Sequence, residues 1–226
     1  LNIYGFQGYP QVRDLDMNGY PLEMTKSFWT GFKVPSGADI SQYSDNELAL
    51  QASRGNIALF QALVERYRRQ AYFYARGMVR NSDDAHDLSQ EAFVRVYRHL
   101  KRFNPAYPFK VWLFHILSNL CKNHLRQKKT RDNVMVTSDD AGESAAPDTD
   151  QPDRLFGRTE VQSQVWNAIG KLPEKFREII ILSHFEELSY NQMAEILGIP
   201  RGSVMSRLYY ARLKLREILE EMGVEL

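Results

Sequence analysis

Few residues in this chain could do chemistry, and they fall in clusters. Asp83, Asp87 and Glu91 recur at i,i+4 spacing, so three carboxylates share one face of a helix over this stretch. Such a face could hold a hard cation, but a stripe on a single helix is more often a solvated or docking surface, and we expect no metal there. The five histidines lie at 86, 99, 115, 124 and 184, and only Cys121 and His124 come close to ligand spacing. One Cys and one His do not make a zinc site; by angle Cys121 lies beside Phe114 and Leu125, which predicts burial. The chain has no P-loop, no G-x-S-x-G and no dinucleotide fingerprint, so neither a catalytic site nor a cofactor is expected.

The remaining polar side chains are suited to binding. From Lys101 to Arg131 there are eight Lys/Arg and no acid, from Asp132 to Asp153 seven Asp/Glu and no base, and from Arg201 to Arg216 five Lys/Arg and no acid. Two basic segments separated by an acidic spacer suggest two contacts with a polyanion and a linker kept off it. Within the first, His115, Asn119, Lys122 and Arg126 form a stripe at i, i+4, i+7 and i+11, with Asn123 next to Trp112. Basic and amide groups beside aromatics suit a nucleic-acid backbone and unstacked bases. A merely solvated helix face normally mixes both signs of charge, and this one has no acid.

The elements that must position these groups read as helices. At 226 residues, with 43% hydrophobic and 25% charged content, the chain has room for one large or two small soluble domains. A single cysteine makes a reducing cytoplasm the natural setting, and no apolar run approaches the ~20 residues of a membrane span. Residues 1–40 are rich in Gly, Pro, Tyr and Phe without a sustained period and read as an irregular extension; Leu1 is not an ordinary initiator, with Met17 and Met24 as alternative starts. A capping box at Ser44 and Glu47 opens a short helix to about Arg54. A longer helix runs to Arg80, burying Ile57, Phe60, Leu63, Val64 and Tyr67. The helix Asp83–Phe103 follows, with Ser82 as N-cap and Ala85, Leu88, Ala92, Val96, Leu100 and Phe103 on its apolar face. Its charged face has Val94 at its centre, which suits docking to a protein. After a turn at 104–108, the helix from Phe109 to about Lys129 buries Phe109, Trp112, Leu113, Ile116, Leu117 and Leu120. The acidic linker spans 130–156. A helix over Thr159–Gly170 follows, then one with Pro173 in its first position, running to about Phe185. Residues 189–218 fit a helix-turn-helix: Ser189 and Gln192 cap its first helix, Gly198 turns the chain, and Ile199 and Val204 plug the small core. Arg201, Ser203, Ser206, Arg207 and Tyr210 face outward on the second. The fold class is all-α, two small helical domains (41–129 and 157–226) joined by the flexible acidic linker.

These stretches carry a resemblance. The pattern D-x-x-D-L-x-Q-E-x-F-x-x-x-Y, here Asp84, Asp87, Leu88, Gln90, Glu91, Phe93 and Tyr97, resembles the core-polymerase-binding helix of bacterial sigma factors, and the chain length points to the extracytoplasmic-function class. FKVWLFHILSNLCKNHLRQKKTR resembles the helix that recognises and opens the −10 element, and LPEKFREIIILSHFEELSYNQMAEILGIPRGSVMSRLYYARLKLR the domain that reads the −35 element. The likeness spans roughly residues 41–222. It implies a non-enzymatic promoter-specificity subunit whose partners are core RNA polymerase and promoter DNA, and it admits an anti-sigma factor as a further partner. It assigns polymerase binding to Asp84, Asp87, Gln90, Glu91, Val94 and Arg98. It assigns the −10 element to Asn104, Tyr107, Trp112, His115, Asn119, Lys122, Asn123 and Arg126. Arg201, Ser203, Met205, Ser206, Arg207, Tyr209 and Tyr210 fall to the −35 element. Many members have a basic residue where Met205 stands, and often another where Tyr210 stands, so the −35 sequence is not carried over. Two other readings are open: a free-standing helix-turn-helix regulator, and a nucleic-acid-processing enzyme using the acidic stripe.

Overall fold

The computed structural model describes residues 42–136, 160–184 and 188–224; the N-terminal extension, the spacer from 137 to 159, residues 185–187 and the last two residues lie outside the described residues. Among the described residues there are eight α-helices and no strand. The first four are α1 (Asp45–Ser53), α2 (Ile57–Val79), α3 (Ser82–His99) and α4 (Phe109–Val136). The last four are α5 (Glu160–Lys171), α6 (Glu174–Ser183), α7 (Tyr190–Leu197) and α8 (Arg201–Glu221). No described helix is long and apolar enough to cross a membrane.

Local chemistry sets most boundaries. The Ser44 hydroxyl accepts from the Glu47 amide at 3.3 Å while the Ser44 amide donates to the Glu47 carboxylate at 2.8 Å, the reciprocal box the spacing predicts. Ser189 and Gln192 repeat it ahead of α7. Gly198 then takes a left-handed φ of 65°, which turns the chain between the two helices of the helix-turn-helix.

Several boundaries differ from the sequence expectation. The N-cap of α3 is Asn81, whose side-chain oxygen accepts from the Asp84 amide at 2.8 Å, and Ser82 is the first helical residue. Two adjacent good caps cannot be ranked by type; Asn81 has the extended backbone that a cap requires. α3 does not continue regularly to Phe103 but tightens into a 3₁₀ turn at Leu100–Arg102, which brings Leu100 and Phe103, three apart, to the same side of the chain. Ile57 is 42% exposed, because it stands in the first turn of α2 at the edge of the buried stripe; Leu59 is buried instead. Pro173 caps α6 from outside rather than opening it. α4 continues through Val136, seven residues past the expected end, since nothing from Thr130 to Val136 is a glycine or proline that would stop it.

The first four helices enclose a core of Phe60, Leu63, Phe93, Val96, Leu113 and Leu117. An aromatic cluster closes one end: Phe103 lies 5.3 Å from Trp112 and 6.0 Å from Phe109, and Tyr67 lies 5.9 Å from Phe109. The last four helices are not held apart from the first. α5 and α6 pack on α2, and α7 packs on α4. This second contact surface buries Val111, Phe114, Ser118 and Cys121, so α4 is covered on nearly every side over its first three turns.

Candidate nucleic-acid and polymerase interfaces

The charged face of α3 is assembled much as its spacing implies. Asp87 and Arg98 are exposed, and Asp84, Gln90, Glu91 and Val94 are half-buried. Val94 is therefore less open than a residue ringed by charge suggests. Glu91 accepts from Arg95 at 2.7 Å, the expected i,i+4 pair. Asp84 meets His124 of α4 at 3.1 Å, and Gln90 meets His86 at 2.8 Å. Cys121 and His124 thus point to different tasks: the thiol is buried and its pKa is pushed well up by that burial, while the imidazole faces the start of α3.

The turn before α4 is fixed by a residue the sequence did not single out. Asn46 of α1 donates to the carbonyls of Pro105 and Tyr107 at 2.8 and 3.0 Å and accepts from the Phe109 amide at 2.8 Å. One side chain therefore holds both the loop and the first amide of α4. Asn104 is exposed but its side-chain oxygen accepts from the Ala106 amide at 3.0 Å, which shapes the turn from within. Tyr107 is half-buried.

Along α4 the expected stripe is only partly open. Arg126 is exposed and Asn123 half-buried. Trp112 lies on the buried face as its spacing predicts, 2% exposed inside the aromatic cluster with Phe103 packed against it, so it is covered rather than open to a strand. His115 and Asn119 meet at 3.1 Å, and the His115 ring reaches the backbone of Glu195 and Ile196 in α7. Burial, the largest influence, holds the His115 imidazole below its ordinary pKa; the α7 backbone partly offsets this.

Lys122 is the sharpest departure. Its Nζ lies 2.9 Å from Oε1 of Glu178, a carboxylate on α6 that is 2% exposed. The same oxygen accepts from Ser118 at 2.6 Å and from Tyr74 at 3.0 Å. Burial and then the Glu178 charge push the Tyr74 phenol far above its ordinary range, so it serves as a donor. Next to Glu178 in sequence, Arg177 donates to the carbonyls of Met78, Gly170 and Leu172 at 2.9–3.0 Å. The two groups join α2, α4, α5 and α6. Glu178 was legible only as an acid inside the apolar run Phe176–Leu182, and no local rule says what it would face.

On α8, Val204, Leu208 and Ala211 are buried against α6 and α7, and Leu215 partly so. Arg201, Ser206, Met205, Tyr209 and Tyr210 are exposed, and Ser203 and Arg207 half-buried. Every residue expected at the −35 face is thus at least partly accessible. Among the described residues no group of three His, Cys, Asp or Glu could hold a metal ion.

An all-α chain with a helix-turn-helix, a recognition helix free of acids from Arg201 to Arg216 and a separate acidic helix face has the parts of a DNA-binding transcription factor. Comparison with known proteins narrows this. Sigma-70 region 2 matches residues 63–131, and Sigma-70 region 4 matches residues 162–215. The RNA polymerase sigma-H factor of Pseudomonas aeruginosa is 33% identical over 189 residues, covering 81% of this chain and 97% of that protein. The ECF RNA polymerase sigma-E factor of Escherichia coli K12 is 32% identical, covering 76% and 92%. Among solved structures, RpoE bound to the anti-sigma factor NepR from Bartonella quintana aligns with TM-score 0.58 and 26% identity over 71% of this chain and 96% of that one. CnrH bound to the cytosolic domain of CnrY aligns with TM-score 0.57 and 27% identity over 78% and 97%. The chain belongs to the bacterial RNA polymerase sigma factors of the ECF class. It is a promoter-recognising sigma factor that works with core RNA polymerase, and such factors are initiation factors rather than enzymes.

Proposed function

We propose that three surfaces divide the work, each in one helical part of the chain. The charged face of α3, with Asp84, Asp87, Gln90, Glu91, Val94 and Arg98, docks on core polymerase. The 104–107 loop and the α4 residues His115, Asn119, Lys122, Asn123 and Arg126 hold the −10 strand as it opens. Trp112 supports that surface from below. α8 reads the −35 duplex through Arg201, Ser203, Met205, Ser206, Arg207, Tyr209 and Tyr210. The observation that carries this reading is the segregation of charge: carboxylates gather on α3, while α4 from Phe109 to Arg131 and α8 from Arg201 to Arg216 contain no acid.

Lys122 and His115 are covered by α6 and α7, so engagement of a single strand by α4 requires the C-terminal helices to swing away. The acidic spacer, which lies outside the described residues, has the length to permit it and repels the strand itself. The single cysteine leaves no pair for an internal disulfide, in keeping with work in the cytoplasm beside the polymerase. One of the similar structures, RpoE, is bound to the anti-sigma factor NepR, which supports an anti-sigma factor as a further partner here.

In vitro transcription with core polymerase tests the division of labour on matched closed and pre-melted templates. Asp87→Lys and Val94→Glu should weaken core binding on both templates. Lys122→Ala and Arg126→Ala should lower affinity across sequences and reduce the salt slope by about one. Arg201→Ala should impair closed templates and spare the pre-melted ones. Equal defects for the α4 and α8 variants on both templates would refute the assignment.

A further inference from the structure

The outward face of α8 has an unusual composition for a helix described as basic. At about 100° per residue, Gly202, Ser206, Tyr209 and Leu213 form the ridge opposite the buried Val204, Leu208 and Ala211, and Met205 and Tyr210 stand on its two shoulders. None of the six is charged. Met205 is 51% exposed, Tyr209 61%, Tyr210 59% and Leu213 42%. The two tyrosine rings meet edge to face with centroids 5.4 Å apart, so they form one apolar body. Over Arg201–Lys214 the cations stand beside the ridge, Arg201 and Arg212 along one flank and Arg207 and Lys214 along the other; Arg216 and Glu217, further along the helix, return charge to the same face.

A helix facing only solvent has its charges at the most exposed positions, whereas the exposed ridge in the first turns of α8 is uncharged. A major groove can accommodate this arrangement. Its floor displays base edges and the thymine C5-methyl groups, and a row of phosphates runs along each wall. Gly202 has no side chain and open space around it, so the backbone can approach the floor at the N-terminal end. The Ser206 hydroxyl donates to the carbonyls of Gly202 and Ser203, at 3.2 and 3.3 Å, so toward a base it offers an acceptor.

We propose that this factor reads its −35 element chiefly through thymine methyl groups packed against Met205, Tyr209 and Leu213, with the flanking cations positioning the duplex and not selecting guanines. The inference rests on α8 being the duplex-reading helix. It names the chemistry that this helix recognises.

The test uses holoenzyme reconstituted from the full chain and core polymerase. A duplex library randomised across the −35 region is selected by binding, and the thymines recovered there are replaced one at a time by deoxyuridine, which deletes only the methyl group. Each methyl that contacts the ridge should weaken binding by about fourfold when removed. Met205→Ser and Tyr209→Ser are exposed changes that leave the fold intact by circular dichroism. They should abolish the difference between thymine and uracil at the position each one faces. A selected site without thymine overturns the proposal. So does indifference to uracil while Arg207→Ala still weakens duplex binding, a result that leaves α8 as the duplex reader by another chemistry. If no α8 variant alters promoter binding, the assignment of this helix itself fails. If the serine variants instead weaken association with core polymerase in the absence of DNA, the ridge is a protein contact and the proposal falls.

Discussion

Gly77→Ala tests the packing of the C-terminal helices on the N-terminal ones by the sign of its effect. Gly77 lies in the last turns of α2, where alanine is normally better than glycine by about 1 kcal/mol. A Cβ built there would stand 2.6 Å from Cδ1 of Ile181 in α6 and 2.9 Å from Cζ3 of Trp166 in α5. Ordinary carbon contacts are about 3.5–4.0 Å, so both neighbours must retreat by roughly 1 Å. The Ile181 methyl can rotate aside, but the Trp166 ring is rigid and must move as a body. Overpacking of this kind costs about 1–3 kcal/mol, and subtracting the helix gain leaves a net loss of about 1 kcal/mol. Urea denaturation of the full chain measures it, and the distance between fluorophores on the exposed faces of α3 and α8 reports whether the two halves part. Ile181→Val removes the nearer methyl, so the double variant should lose less than the two single variants predict by addition. A Gly77→Ala protein more stable by about 1 kcal/mol, with the distance unchanged, would show that nothing covers this face of α2 and would remove the covered Lys122 with it.

Three further outcomes follow from the same geometry. Lys122→Met leaves the buried Glu178 without its cation and should cost about 1–3 kcal/mol in denaturation, less than a fully buried pair because Lys122 keeps part of its solvent contact; Glu178→Gln in that background should restore some of the loss. Burial depresses the folded pKa of His115 below its ordinary 6.5, so unfolding takes up a proton: the stability it contributes is present above that value and lost as pH falls through the folded one. Stability measured between pH 7.5 and 5 should fall less in His115→Gln than in the parent. The raised carboxyl of Glu195 acts with the opposite sign, so the comparison with His115→Gln isolates the imidazole, and parallel profiles would refute the assignment. Asn46→Ala removes two hydrogen bonds from the 104–108 turn and one from the first amide of α4, and should change preference at the −10 element while core binding is retained; a loss of core binding of equal size would place the damage in the fold.

What the sequence by itself determined was everything set within a few residues along the chain. The two capping boxes, the Gly198 turn, most of the buried face of α3 and the full length of α8 follow from spacing and side-chain type, because those interactions close within one helical turn; on α3 Leu88 is only partly buried and Phe93, outside the expected face, is 1% exposed. The charge segregation was equally legible, since it is composition and not conformation. Boundaries are not set by sequence where neighbouring types are equivalent, as with Asn81 and Ser82, or where composition changes without a change of structure, as at Thr130. The tertiary structure alone decided which groups on α4 are open. Lys122 and Arg126 are indistinguishable in the stripe, yet one meets Glu178 and the other meets solvent. Tyr74 and Glu178 are 104 residues apart, and Asn46 and Phe109 are 63 apart. Such partners are chosen by which helix faces pack together, a choice made by the summed burial of many side chains and carrying no signature at any one of them.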